Sequence, residues 1–334
     1  MIETSFKLGN IEISPPLILA PMAGITNGPF RKICRVGGAG LVYTEMISSK
    51  ALSFNNRRTK DMGTFLPEEH PVAAQIFGRD PGEMARAAVF LEEAGADIID
   101  INMGCPVKKV LKSGCGVQLM REPVLAASIA RAVAEAVKVP VTVKIRAGWS
   151  ATEMNFLAVG ESLEAEGVSA VTLHPRTRVQ GFSGRAHWDC IGRLKDILSI
   201  PVLGSGDITD PVNAGEMFRT TGCDAAMIGR GALGRPWVFR EISNGLNLVE
   251  GTVNTDFCKR LVGDHIKLIL EHFPGRGSVG QLRKHLGWYS RGFPEGSAFR
   301  RQINSIDSSV QIVELVRQFM GLKLRPKETV DRRQ

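Results

Sequence analysis

No apolar run in this chain approaches the roughly 20 residues a helix needs to cross a bilayer, which argues against a membrane protein. The first twenty residues also lack a basic start followed by an unbroken apolar core, since Pro15, Pro16 and Pro21 punctuate the only candidate. No signal peptide is expected, and the expected compartment is the cytoplasm. The six cysteines (Cys34, Cys105, Cys115, Cys190, Cys223, Cys258) form no C-x-x-C pair. That spacing argues against a zinc site and against a disulfide framework, so no metal is expected. A Walker loop is missing, and no G-x-G-x-x-G follows an early strand, which argues against a Rossmann dinucleotide site. Repeats of solenoid period and low-complexity tracts are absent as well.

What is present is a 334-residue chain with 43% hydrophobic and 23% charged residues, the balance of a globular protein. Its 36 glycines exceed ordinary usage and suggest many tight strand-to-helix turns or close backbone–ligand contacts. The net charge of +8 is uneven: from Glu250 onward there are 15 Lys/Arg against 9 Asp/Glu, while the preceding residues carry 27 against 25. A basic tail on a nearly neutral body suggests a polyanionic partner, with a solvated surface as the plainer reading.

Short apolar runs recur along the body, each closed by glycine or proline. They are Leu17–Met22, Leu41–Met46, Pro71–Phe77, Asp97–Gly104, Val141–Gly148, Ala170–Arg176, Pro201–Asp207 and Ala225–Gly231. None alternates strictly with polar residues, as expected of strands buried on both faces. Amphipathic stretches lie between them, at Asp80–Ala94, Pro123–Val137, Thr152–Glu166 and Pro211–Thr221. Eight such units predict an α/β fold, a (β/α)8 barrel, over about residues 1–245. A doubly wound open sheet is the competing architecture. From about Thr255 to Gln318 apolar positions recur at intervals of three and four, with breaks at Pro274–Gly277 and Gly292–Gly296. This predicts a smaller helical domain over 250–330, joined near Gly245–Gly251.

The run from Ile101 to Met120 sets one thiol, Cys105, between Gly104 and Pro106 where an apolar strand turns into a glycine-rich loop. Such a position gives sulfur a fixed aim and access, with Asn102 upstream and Lys108 and Lys109 following. Barrel enzymes gather their chemistry at the carboxyl ends of strands. Glu45, Gln75, Asn102, Cys105, Lys144, Arg146, His174, Arg176, Asp207 and Arg230 all fall there. The Gly204–Ile208 and Ile228–Trp237 runs close the seventh and eighth strands, where barrels commonly hold a phosphate. Lys144 could form a Schiff base or stabilise negative charge on a bound heterocycle such as a flavin. Gln75 could bond a ring edge. His174 could donate to a phosphate or a ring, or be a structural histidine satisfied by backbone.

In combination these residues resemble the tRNA-dihydrouridine synthases, most closely the bacterial B-type branch. The resemblance runs from about Leu17 to about Gln318. It rests on PMAGITNGPFR, N-x-G-C-P-x-x-x-V, VKIRAGW, R-T-R-x-Q-G at Arg176–Gly181, GDI, IGRGALGRPW and RKHLGWY-x-R-G. It implies an FMN-dependent barrel followed by a helical tRNA-binding domain, with NADPH as reductant. Pro21, Met22 and Ala23 would border the flavin, and Gln75 and Lys144 would contact its ring. His174, Ser205, Gly206, Asp207, Gly229 and Arg230 would hold its ribityl and phosphate. Cys105 is similar to the family's catalytic thiol. Two departures stand out: Pro175 replaces a frequent glycine of H-G-R-T-R, and Ser205 stands where the family usually has asparagine before Gly-Asp.

The implied reaction reduces the C5=C6 bond of uracil, with hydride to C6 from reduced flavin and a proton to C5 from Cys105. The uridine must leave its stack, which favours unpaired D-loop nucleotides. Asn102 and Arg176 would meet the substrate; Lys284, His285, Trp288, Tyr289, Arg291, Arg300 and Arg301 would grip the phosphate backbone. A monomer is expected. Two rival readings are a small-molecule flavin barrel similar to dihydroorotate dehydrogenase, and an RNA-binding module on a vestigial barrel.

Overall fold

A computed structural model of the chain describes residues 2–322, Asn55 apart; residues 323–330 of the expected helical domain lie outside the described residues. Eight apolar runs form strands: β1 (Leu17–Leu19), β2 (Leu41–Tyr43), β3 (Val72–Phe77), β4 (Ile98–Met103), β5 (Val141–Arg146), β6 (Ala170–His174), β7 (Val202–Ser205) and β8 (Ala225–Ile228). Each is parallel to the next, and β8 pairs with β1 through Ala226↔Leu17 and Ile228↔Leu19, closing the sheet into a (β/α)8 barrel. Closure buries each of these eight strands on both faces, which accounts for the missing polar alternation; a short strand, Ile47–Ser48, pairs with β3 beside them.

The amino end of the barrel is sealed by an element the periodicity does not reveal, an antiparallel hairpin of Phe6–Leu8 and Ile11–Ile13. Its Leu8 and Ile13 join Ile98, Ala170, Leu203 and Ala225, the first or second residues of their strands, in one apolar cluster. Polar side chains are thereby left to the other end.

The helices around the barrel begin where local chemistry dictates. Asp80 accepts from Glu83 N and caps Pro81–Glu93, and Asp210 forms a capping box with Asn213 ahead of Pro211–Thr221. Proline occupies the first turn of both, where its missing N–H costs nothing. The expected helix Thr152–Glu166 starts later, at Phe156. Its first residues instead form a short antiparallel pair, Gly148–Ser150 with Glu153–Met154, and Asn155 is drawn aside by a bond from its amide to Met120 O.

Two compact units account for the described chain. One holds the chain up to Ala232 together with Val238–Gly251; the other holds Leu233–Trp237 and the chain from Thr252. The second unit is built of helices Thr255–His272, Arg276–Tyr289, Gly296–Ser305 and Ser309–Met320. Its core gathers Ile266, Leu282, Leu286, Phe299, Ile303, Ile312 and Val316. Trp237 belongs there because its ring stacks on Tyr289, 6.3 Å between centroids. The stretch Ser297–Met320, continuous in its periodicity, breaks at Ile306–Ser308. Arg283 takes the carbonyls of Ile303 and Ile306 and the Asp307 carboxylate, and Ser308 caps the next helix.

Candidate active site

The sequence N-M-G-C-P ends β4 in a tight turn. Asn102 Oδ1 accepts the backbone N–H of Gly104 at 3.3 Å and of Cys105 at 3.0 Å, an Asx turn that fixes the loop. Gly104 lies so close to the Lys144 and Ile145 backbone that a Cβ would stand 3.3 Å from the Ile145 carbonyl carbon. From the far side Val117 N donates to Cys105 O, and Gly116, at φ +66°, leaves room for that approach. Cys105 is thus held from both sides, and it is 8% exposed. Burial raises its pKa; a backbone hydrogen bond at Val107 and the Arg146 charge only moderate the rise. The thiol is therefore protonated at neutral pH and suited to donate a proton, not to act as a thiolate nucleophile.

Beneath the loop, β3, β4 and β5 lie in register, Gln75↔Asp100 and Asp100↔Thr142, with Asn102↔Lys144 one layer higher. Gln75 Nε2 donates to Asp100 at 2.7 Å, Thr142 Oγ1 donates to Asp100 at 2.6 Å, and Asn102 Nδ2 donates to Gln75 Oε1 at 2.9 Å. Burial lifts the Asp100 pKa to about 7, against hydrogen bonds from Thr142 and Gln75 and the Lys144 charge. Burial also lowers Lys144 to about 8, helped by Arg146 and opposed by Asp100. A half-desolvated cation in this layer is a strong partner for a ligand's developing negative charge.

Two strands on from the thiol loop, His174 ends β6, paired with Arg146 of β5. Burial and the charges of Lys144, Arg146, Arg176 and Arg230 hold its pKa at about 2, so the ring is neutral. Its Nε2 is buried without a protein partner among the described residues. Gly206, at φ +122°, sits against it, where a Cβ would lie 2.9 Å from Ala186 Cβ and 3.3 Å from the His174 ring. Asp207 (φ +58°) receives Arg176 at 2.7 and 2.8 Å, Arg230 at 3.3 Å and Ala186 N at 2.8 Å. Burial opposes its carboxylate, but these bonds outweigh it and keep the pKa low. Pro21, Met22 and Ala23 follow β1, and a Cβ on Gly229 would meet Ala20 Cβ at 3.6 Å and Met22 Sδ at 3.7 Å, ordinary contact distances.

The sequence-selected residues Gln75, Asn102, Cys105 and Lys144 thus cluster on β3, β4 and β5. His174, Ser205, Gly206, Asp207 and Arg230 gather on the later strands. Arg176, read as a substrate contact, is 1% exposed; its Nε and Nη2 bind Asp207 and the carbonyls of Ser183 and Gly184, and its Nη1 is buried with no partner among the described residues. In the helical unit Arg291 is exposed, whereas Arg300 binds Ser290 and Ser297. Lys284 reaches Gln281 Oε1 at 3.4 Å. His285 is 1% exposed and set against His265 and Trp288. Burial keeps His285 neutral, so it has no charge to offer a phosphate.

Two site residues escaped the sequence reading. Asp100 hides in an apolar strand run, and only its register with Gln75 and Thr142 reveals it. Phe182, 59% exposed, lies under the guanidiniums of Arg146 at 5.3 Å and Arg230 at 5.5 Å, and nothing local marks that loop phenylalanine. Arg146 itself is held by the carbonyls of Gly104, Thr177 and Gly181, tying the thiol loop to the loop after β6. A cavity of about 890 Å³ lined by Phe6, Val212, Phe218 and Leu246 lies on the hairpin side and collects none of these donors. Among the described residues no group of three or more His, Cys, Asp or Glu is gathered as for a metal ion, and no helix is long and apolar enough to cross a membrane.

The model of the family described as dihydrouridine synthase (Dus) matches residues 18–322. A protein of Yersinia pestis named tRNA-dihydrouridine synthase B is 42% identical over 320 residues, 95% of this chain and 99% of its own. One of the same name from Pseudomonas putida is 40% identical over 330 residues, 98% of each chain. A probable tRNA-dihydrouridine synthase of Rickettsia conorii is 39% identical over 316 residues, 94% of this chain and 96% of its own. On a match spanning barrel, thiol loop and helical unit alike, the chain belongs to the dihydrouridine synthase family, within its bacterial B-type branch.

Proposed function

We propose that this protein reduces uridines of tRNA, in the D-loop, to 5,6-dihydrouridine, with FMN as its cofactor and NADPH as reductant, as a monomer in the cytoplasm. The observation that carries the reading is a buried thiol fixed at the carboxyl end of β4, on a loop that Arg146 ties to the loop after β6. A site that must protonate carbon needs such an acid, held at a set distance from the ring it serves.

The donor set suits a ring-bearing phosphate. The bare His174 Nε2, the Arg230 guanidinium and the Gly206–Asp207 turn supply donors for a ribityl phosphate. Lys144 and Gln75 suit the edge of an isoalloxazine on which negative charge gathers. FMN bound there supplies hydride equivalents to C6 of the pyrimidine. Cys105 gives its proton to C5, and burial keeps that proton on sulfur until the pyrimidine carbon demands it. Arg146 steadies the loop and stabilises the thiolate left behind. Phe182 offers an exposed ring face to a displaced base. Arg291 and Arg301, exposed on the helical unit, meet backbone phosphates.

Purified protein mixed with FMN should absorb near 450 nm. It should oxidise NADPH and form dihydrouridine on transcribed tRNA, read by nucleoside mass spectrometry. A colourless protein, or NADPH oxidation with no dihydrouridine, overturns the reading.

A further inference from the structure

We infer that Asp100 is a positioning residue for the Cys105 thiol, acting through a directional hydrogen-bond relay that runs Asp100, Gln75, Asn102, Cys105 N–H. The inference rests on the proposed acid role of Cys105, but its test is read on the thiol itself.

The argument is one of polarity. Above its pKa of about 7 the Asp100 carboxylate is ionised and only accepts, so the relay is set on that side of the titration. Asp100 receives Thr142 Oγ1 on one oxygen and Gln75 Nε2 on the other. The Gln75 amide is thereby turned with nitrogen toward β4 and Oε1 toward Asn102. Oε1 can only accept, so it fixes Asn102 with Nδ2 facing it, at 2.9 Å. That leaves Asn102 Oδ1 to receive Gly104 N and Cys105 N. Turn any amide around and two donors or two acceptors meet in a region where Gln75 and Asp100 are 0% and Asn102 6% exposed. Such a mismatch has no water to relieve it. The relay is held at both ends, by the backbone donors Gly104 N and Cys105 N at one and by the carboxylate at the other, and the carboxylate is the end a substitution can change. Asp100 touches neither the thiol nor the cavity in which a base would lie, so its action on Cys105 is indirect.

The relay predicts a pattern that plain packing or plain charge does not. Asp100→Asn keeps an oxygen for Gln75 and turns its amide nitrogen to Thr142, whose hydroxyl can accept; it should behave as wild type. Asp100→Leu deletes the acceptor and frees the amides. Asn102→Asp reverses the demand: Gln75 must turn its nitrogen to residue 102, and its oxygen then faces the Asp100 carboxylate. Adding Asp100→Asn to Asn102→Asp removes that clash and restores a consistent relay, running backward but still ending on an acceptor for Cys105 N–H.

The experiment follows iodoacetamide alkylation of Cys105 by peptide mass spectrometry across pH, on full-length protein without tRNA, beside an FMN titration and a melting curve. Asp100→Asn should alkylate within about twofold of wild type, and Asp100→Leu should differ by about fivefold or more, the worth of one buried hydrogen bond. The crossed pair should recover most of the change seen in Asn102→Asp, and both of those proteins carry the same new carboxylate. Where Asp100→Leu melts before assay, the crossed pair alone decides. Equal effects of Asn and Leu at position 100 would mean that charge, not relay direction, matters, and would overturn the inference. So would Asn102→Asp left uncorrected by Asp100→Asn. Dihydrouridine formation, measured separately on wild type, tests the proposed function and is independent of these outcomes.

Discussion

Cys105 carries its proton because it is buried, and that proton is the one the proposed reaction consumes. Cys105→Ala should therefore keep the flavin spectrum and lose about 10²-fold or more of dihydrouridine formation in a single-turnover assay. Unchanged turnover would remove the thiol from the mechanism. Lys144 makes a second claim at this scale. Its pKa of about 8, lowered by burial, means that the ammonium present at pH 7 is lost on raising the pH past 8. Affinity for an anionic ligand should fall across that range, and Lys144→Met should be weaker and flat with pH. In the protein without ligand the sign for stability is opposite. Between about 8 and the ordinary lysine value of 10.5 the unfolded chain holds the proton that the folded one has released. Lys144 then contributes rising stability with pH, and a melting series of wild type against Lys144→Met checks it. His174, neutral at every working pH, should add no break near its ordinary value of 6.5.

Elements explain where the sequence periodicity succeeds and where it fails. Helices opened by Asp80-Pro81 and Asp210-Pro211 are legible because cap and proline are neighbours in sequence. Asp210→Ala removes the bond from Asn213 N, while the bond from the backbone N–H of residue 210 to Asn213 Oδ1 remains, and should cost about 1 kcal/mol in urea unfolding, with turnover unchanged. The hairpin at Gly148–Met154 is hidden because Asn155, which starts the true helix, is recruited by Met120, a residue brought near only by the fold. The break at Ile306–Ser308 has the same character. Arg283 is on another helix, and its bonds to Ile303, Ile306 and Asp307 terminate a periodicity that otherwise continues.

At the scale of the whole molecule the basic excess lies in the helical stretch, and part of it is committed inside that unit. Arg283 and Arg300 serve helix joins, while Arg291 and Arg301 are exposed. Binding of tRNA should weaken steeply between 50 and 200 mM salt, as phosphate contacts require. Arg291→Glu and Arg301→Glu should each lower the slope of log affinity on log salt by about one, whichever tRNA is used. A filter-binding series measures this; slopes equal to wild type would exclude both residues from the contact. The B-type relatives match this chain over barrel and helical unit together.

The sequence alone determined eight parallel strands, since strands buried on both faces must be apolar throughout, while closure into a barrel in place of an open sheet was decided by the pairing of β8 with β1. It also marked the thiol loop, because glycine, cysteine and proline in that order can only serve a tight turn. It ranked every polar strand-end residue alike. Only the tertiary structure separated those that face the cavity from those that build it, because that distinction depends on partners distant in sequence. Arg176 bound to Asp207, His285 sealed among rings, and Asp100 governing Gln75 and Asn102 are all decided by register between strands and by helix packing, neither of which local composition encodes.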